Sequence, residues 1–115
     1  MEVTERKKGD VTILEFDGRL TIGRGDVVLR EAVHKALGEG RRKILLVLEN
    51  CRALDSSGVG ELMAVRASTI RRGGSLKLAK ISPKVTNILA VTQLAGVLEP
   101  YDSIEEALAD FAGLP

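Results

Sequence analysis

Hydrophobic and polar positions follow two different spacings that alternate from one segment of the chain to the next. Residues 11–16, VTILEF, alternate apolar and polar side chains, which predicts a strand with one buried face. Residues 2–6 can pair with this strand as a hairpin. Residues 43–48, KILLVL, are almost continuously apolar, which is typical of a central strand covered on both faces. Residues 75–79, SLKLA, alternate again and predict a further short strand.

Four other segments carry apolar residues at the spacing of a helix. The first is predicted to begin at the N-cap Asp26 and to stop near Gly38. The second follows the sequence Asp-Ser-Ser-Gly and runs to Arg72. A Ser–Pro pair opens the third, and a Ser-x-x-Glu capping box opens the fourth. The apolar residues that mark the four helices are Leu29, Val33, Ala36 and Leu37; Val59, Leu62, Met63, Ala67 and Ile70; Val85, Ile88 and Leu89; and Ile104, Ala107, Leu108 and Phe111.

The order of these elements predicts the fold class. A last short strand is expected around residues 97–99, before Pro100, which makes the order β-β-α-β-α-β-α-β-α. Strands that alternate with helices predict an α/β fold, here a mixed sheet of four to five strands with about four helices. A chain of 115 residues suits one domain and is too short for two, so residues 1–115 are assigned to a single domain.

Composition and charge argue against several classes of function. Seventeen basic and sixteen acidic residues leave a net charge of +1, and only 3% of residues are aromatic, so we expect no nucleic-acid binding. No apolar run approaches the roughly 18 residues of a membrane span, so we expect no membrane insertion. The charged first residues are unlike a secretory signal, and the single cysteine, Cys51, fits a reducing compartment. The sequence therefore favours a cytoplasmic protein.

The residue combinations of common catalytic and metal sites are missing from the sequence. A Ser-His-Asp triad would have to use His34, the only histidine, and no G-x-S-x-G motif occurs. One histidine and one cysteine, Cys51, cannot form a usual zinc site, and there is no P-loop motif. We therefore expect no enzymatic activity, no cofactor and no metal, and we assign His34 and Cys51 to structure.

The segment LDSSGVGEL, residues 54–62, allows two interpretations. Asp55 or Ser56 can cap the following helix through a side-chain oxygen, which stabilises a helix by about 1 kcal/mol. The segment also follows a buried strand, and α/β sheets usually place their sites at the ends of parallel strands. Ser57 would lie in the first turn, close to free N–H groups and the positive end of the helix dipole. The residues alone leave both a purely structural cap and a functional serine open.

LDSSGVGELM after a buried strand resembles the signature of the STAS domain, and specifically of bacterial anti-sigma-factor antagonists. The resemblance covers nearly the whole chain, through VTILEFDGRLTIG, LKLAKISPKVTNIL and YDSIEEAL. In that family an anti-sigma factor that is itself a serine kinase phosphorylates the second serine of the motif, and a PP2C-type phosphatase removes the phosphate. The resemblance implies phosphorylation of Ser57 and contacts between the partner and the loop at residues 18–23. The implied partner-binding residues are Asp55, Ser56, Ser57, Gly58, Val59, Met63 and Thr21.

Two positions depart from the pattern of many relatives. Thr21 stands where they have an aspartate near the phosphorylated serine, and Val47 stands where they have an acidic residue at the end of the buried strand. The departures leave an alternative open, a constitutive STAS subunit of a lipid-transport ATPase or another signalling complex without phosphorylation. A small serine hydrolase acting through Ser57 is a more distant alternative. The favoured function is an antagonist that binds its anti-sigma kinase, and so releases a sigma factor, until phosphorylation abolishes the binding.

Overall fold

A four-stranded sheet forms the centre of the computed structural model, which describes residues 1–113. β1 (Glu2–Lys8) pairs antiparallel with β2 (Val11–Leu20), so the predicted hairpin is confirmed. β3 (Lys43–Leu54) lies parallel to β2, and β4 (Ser75–Ala79) lies parallel to β3. The strand order is β1-β2-β3-β4, which confirms the predicted α/β fold with a mixed sheet.

Five helices within residues 1–113 complete the fold. α1 (Gly25–Gly38) connects β2 to β3, and α2 (Ser56–Arg71) connects β3 to β4. No helix in this part of the chain is both long and apolar enough to cross a membrane. The three helices that follow β4 are α3 (Pro83–Val91), α4 (Ala95–Leu98) and α5 (Ile104–Ala112).

Both faces of the sheet are covered by hydrophobic clusters. The larger cluster joins the sheet to α1, α2 and α3, and the smaller one joins it to α5. β3 contributes to both, with Leu46 and Leu48 in the larger cluster and Leu45 and Val47 in the smaller one. None of these four side chains is more than 1% exposed. The interpretation of KILLVL as a central strand covered on both faces is confirmed.

The strand predicted at residues 97–99 is wrong, because this segment forms α4. The backbone N–H groups of Leu98 and Glu99 bond to carbonyls four residues earlier, and Leu98 is buried in the larger cluster. A short apolar run does not distinguish a strand from a helical turn, so the contacts of Leu98 in the folded protein determine which of the two this segment forms. Pairing with β4 is instead made by Tyr101, which forms an isolated parallel bridge with Ala79.

The N-cap predicted at Asp26 is also wrong. α1 begins at Gly25, and its N-cap residue is Arg24, whose side chain makes no capping bond. Asp26 Oδ1 accepts hydrogen bonds from the N–H groups of Gly23 and Val27, at 3.0 and 2.8 Å. The Asp26 carboxylate therefore organises the loop before α1 and its first turn without capping the helix.

The caps of α3 and α5 are confirmed, since Ser82 and Ser103 each accept the N–H of the residue three positions later. The buried face of α2 differs from the predicted one. Met63 is only half-buried and Ile70 is 49% exposed. The residues of α2 that are buried are Gly58, Leu62, Val65 and Thr69.

Glycines let α1 and α2 approach the end of β2 closely. A Cβ atom on Gly25 would overlap the carbonyl oxygen of Arg19 and lie 2.8 Å from the Cα of Leu20. A Cβ atom on Gly58 would overlap the carbonyl oxygen of Leu20 and lie 2.7 Å from the Cδ1 of Leu54. Because backbone atoms cannot rotate away as a side chain can, any larger residue would displace the helices. The two glycines thus hold both helix starts against one strand end.

Gly25→Ala should destabilise the protein, and Gly38→Ala in the same helix should not. The added methyl group at Gly25 meets backbone, and overpacking of this kind costs about 1–3 kcal/mol. At Gly38 the methyl group meets open space, so we expect no loss and up to about 1 kcal/mol of stabilisation. Urea unfolding followed by circular dichroism measures both changes. Equal stability of the two variants would contradict the close approach of α1 to β2.

Candidate functional site

The Asp-Ser-Ser-Gly segment begins α2 directly after β3, at the carboxyl end of two parallel strands. β2 and β3 both run further than residues 16 and 48, where the sequence pattern ends them, and their last paired residues are Leu20 and Leu54. The loop that follows β2 and the helix that follows β3 therefore start side by side. This edge of the sheet is the usual position of a site in α/β proteins.

Asp55 joins the helix start to that loop. Its Oδ1 accepts a hydrogen bond from Gly58 N–H at 2.9 Å, and its Oδ2 accepts one from Ile22 N–H at 3.0 Å. These bonds lower the pKa of the Asp55 carboxyl, and the bond from Ile22 has the larger effect of the two. The ionised carboxylate thus caps α2 and positions the loop between β2 and α1.

The two serines occupy the first two positions of α2. Ser56 is exposed and Ser57 is half-buried. Of the two predicted capping residues, Asp55 is the one that accepts the N–H, so neither serine hydroxyl is needed as a cap. Ser57 lies at the positive end of a helix of 16 residues, where negative charge is stabilised.

The remaining predicted contact residues of α2 are buried or half-buried. Gly58 is buried against the end of β2, and its visible role is the close approach described above. Val59 is half-buried, and Met63 is half-buried and packs against the larger hydrophobic cluster. The accessible part of the motif is therefore its first turn, with parts of Val59 and Met63 beside it.

The loop between β2 and α1, which was predicted to contact the partner, presents an apolar residue that was not singled out from the sequence. Thr21 is half-buried, and its carbonyl accepts the N–H of Asp26 at 3.2 Å. The neighbouring Ile22 is 72% exposed although it is apolar, and its N–H is the one held by Asp55. An apolar residue within a short loop between glycines would have been the sequence signal. Ile22 lies beside the motif because of this bond.

Val47 has a different position from the one expected. It pairs with Glu15 on one side and Ala79 on the other, and β3 continues beyond it to Leu54. Its side chain is 1% exposed and belongs to the smaller cluster. The expectation that Val47 ends the strand is wrong, because β3 is longer than its apolar run. Val47 is a core residue.

An ion pair connects α1 and α2 next to the motif. Arg30 Nη1 lies 2.9 Å from Glu61 Oε1, and the Glu61 side chain is only 11% exposed. A cleft of about 460 Å³ at the loop is lined by Arg19, Arg24 and Arg52 together with the acidic Glu2 and Asp17, and Arg52 is paired with Asp17 at 2.9 Å. Cations near the site therefore come from α1 and from the loop between β2 and α1.

His34 and Cys51, the other residues with reactive side chains that the sequence singled out, lie outside the motif. His34 is exposed on α1 and so does not contribute to the core. Cys51 is buried, its thiol donates to the Ala53 carbonyl at 3.3 Å, and burial raises the pKa of the thiol. Within residues 1–113, no three His, Cys, Asp or Glu side chains are grouped so that they could hold a metal ion.

Comparison with known proteins agrees with this architecture. The family model described as the STAS domain matches residues 2–107. The chain belongs to the STAS domain family. A Thermotoga neapolitana protein named as a candidate anti-sigma factor antagonist is 31% identical over 104 residues, which cover 90% of this chain and 92% of that protein. The crystal structure of a candidate anti-sigma factor antagonist from Thermotoga maritima has a TM-score of 0.85 and 28% identity, covering 94% and 92% of the two chains. The predicted family is therefore confirmed.

Two further STAS structures share the fold at lower identity. The Bacillus cell fate determinant SpoIIAA in its phosphorylated form has a TM-score of 0.72 and 19% identity, covering 96% of this chain and 99% of SpoIIAA. A sulfate transporter family protein from Wolinella succinogenes has a TM-score of 0.75 and 23% identity, covering 89% and 84% of the two chains. At these identities the likeness shows the fold alone.

Asp55→Asn should release the loop and keep the cap. An asparagine can still accept from Gly58, but its amide places a donor opposite the Ile22 N–H. We expect Asp55→Asn to be less stable than wild type at neutral pH. Its amide hydrogen exchange should accelerate more at Ile22 than at Gly58.

The pH dependence follows from the lowered pKa of Asp55. The carboxylate's contribution is complete above the ordinary carboxyl value of about 3.9 and is lost as the pH falls through the lower folded value. The stability difference between wild type and Asp55→Asn, measured by urea unfolding, should therefore shrink in acid. Glu31→Gln on the exposed surface of α1 is the control. A difference that persists unchanged in acid would contradict the role of the carboxylate.

Proposed function

We propose that the protein is an anti-sigma-factor antagonist whose binding is controlled by phosphorylation of Ser57. The unphosphorylated form binds an anti-sigma factor that is a serine kinase and so releases its sigma factor. Phosphorylation ends the binding, and a PP2C-type phosphatase restores it. In this role the protein acts in the cytoplasm as a binding regulator without catalysis of its own. The observation that carries the proposal is that Asp55 caps α2, which leaves the Ser57 hydroxyl at the helix start free for modification.

Two kinds of similarity support the proposal. The chain belongs to the STAS family, and its relatives include proteins named as anti-sigma factor antagonists. A member of the same fold has been solved in a phosphorylated form. Ser57 also lies at a sheet edge where a partner can reach it together with Ser56, Val59, Met63 and Thr21.

The physical effect of the phosphate falls on the interface and not on the fold. A phosphate adds about −1.5 to −2 charges at neutral pH, and the helix N-terminus favours negative charge by about 0.3–1 kcal/mol. An unmodified serine can be covered by a partner with one hydrogen bond. A dianion whose charge is not fully compensated costs several kcal/mol to cover with a partner, and each 1.4 kcal/mol is tenfold in affinity. Phosphorylation should weaken the complex on the order of a thousandfold.

Affinity capture from the source organism tests the proposal, with wild type, Ser57→Asp, Ser57→Ala and the control Ser56→Asp as baits. We expect wild type to retain a protein with a serine-kinase ATP site, Ser57→Asp to lose it, and mass spectrometry to find phosphate on Ser57 of the recovered wild type. Ser57→Ala should retain the kinase and stay unmodified. A transporter ATPase retained equally by all baits, with Ser57 unmodified, would instead identify a constitutive subunit.

Ile22 should anchor the partner through its exposed side chain. Replacing it with serine removes an apolar contact from the loop that Asp55 positions, so Ile22→Ser should weaken the complex about tenfold or more. Val91 is 81% exposed and lies at the far end of α3, which makes Val91→Ser the matched control. Isothermal titration with the captured kinase measures both affinities. Equal effects of the two substitutions would exclude Ile22 from the interface.

A further inference from the structure

We propose that Arg30 receives the phosphate when Ser57 is phosphorylated, and that it exchanges its contact with Glu61 for one with the phosphate. In the unmodified protein the Arg30 guanidinium is paired with Glu61, which follows Ser57 by one helical turn on α2. The inference rests on the proposed function only for the identity of the modified serine. It assigns to α1 a residue that recognises the modification.

The spacing along α2 places Arg30 within reach. Ser57 and Glu61 are four residues apart on one helix, so their side chains are neighbours with about 5–6 Å between Cβ atoms. Arg30 Nη1 is 2.9 Å from Glu61 Oε1. The residue that holds its guanidinium is therefore one helical turn from Ser57. The Arg30 side chain is 45% exposed, so it can turn toward the serine without unpacking the core.

The chemistry favours the exchange. A guanidinium presents a planar fork of donors that binds two phosphate oxygens at once, and charge-assisted bonds of this kind are stronger than neutral ones. The phosphate carries more charge than the Glu61 carboxylate and also lies at the positive end of α2. Glu61 by itself repels the phosphate. Arg30, with a single positive charge, thus offsets part of the repulsion between the phosphate and Glu61, and a net negative charge remains at Ser57.

The other charged groups around Ser57 are less suited to this role. Both oxygens of Asp55 accept backbone N–H groups, so its carboxylate contributes repulsion and no donor. Arg24 lies in the loop between β2 and α1 and lines the cleft on that side. It is the competing cation that the experiment must distinguish from Arg30.

The test is the second pKa of phosphoserine 57, followed by ³¹P NMR in protein with phosphoserine incorporated at that position during translation. The ordinary value is about 6. We expect a lower value in wild type and a rise of about 0.5–1 unit in Arg30→Gln, because an adjacent cation favours the dianion. Glu61→Gln should lower the value further. Arg66→Gln, on α2 but nine residues from Ser57, is the control and should match wild type.

An unchanged phosphoserine pKa in Arg30→Gln would overturn the proposal, as would a rise in Arg24→Gln that exceeds the one in Arg30→Gln. If Arg30→Gln folds poorly, Arg30→Lys replaces it, since lysine keeps the charge without the fork and should give a smaller rise. An unchanged value in Glu61→Gln would also count against the exchange. The measurement needs neither kinase nor partner, so its failure is distinct from a failure of partner binding in the capture experiment.

Discussion

The two hydrogen bonds of the Asp55 carboxylate are the constraint on which the site depends. One oxygen caps α2 through Gly58, and the other holds Ile22 in a loop that belongs to a different part of the chain. A neutral side chain at this position would offer only one acceptor for two N–H groups. The ionised acid therefore combines two surfaces, the first turn of α2 and the loop after β2, into one.

The order of residues in the motif follows from this arrangement. The aspartate caps the helix, so the serines that follow are not required to do so. Gly58 then brings the helix onto the end of β2, where the carbonyl of Leu20 leaves no room for a side chain. Ser57 lies between the cap and the close approach, so its surroundings are rigid. A phosphate added there changes the charge of a fixed surface and leaves the core untouched.

The sequence patterns predicted the buried strands and helices better than the short segments and the contacts between elements. The apolar run of residues 43–48 and the helical spacing around Phe111 correctly indicated a central strand and a covering helix, because burial in the core imposes periodicity. The strand predicted at residues 97–99 was wrong, since a three-residue run has no measurable period. The Asp55–Ile22 bond and the Arg30–Glu61 pair join residues 33 and 31 positions apart. Such contacts depend on how the elements pack, which no local pattern reveals.

The most direct test of the proposed switch compares the affinity of the captured anti-sigma kinase for unmodified protein and for protein with phosphoserine incorporated at position 57. Thermal unfolding of both forms is measured beside it. Affinity should fall by a factor on the order of a thousand while the unfolding temperature does not decrease. Equal affinities would contradict the proposed switch. A phosphorylated form that unfolds at a clearly lower temperature would show that the phosphate acts on the fold and not on the interface.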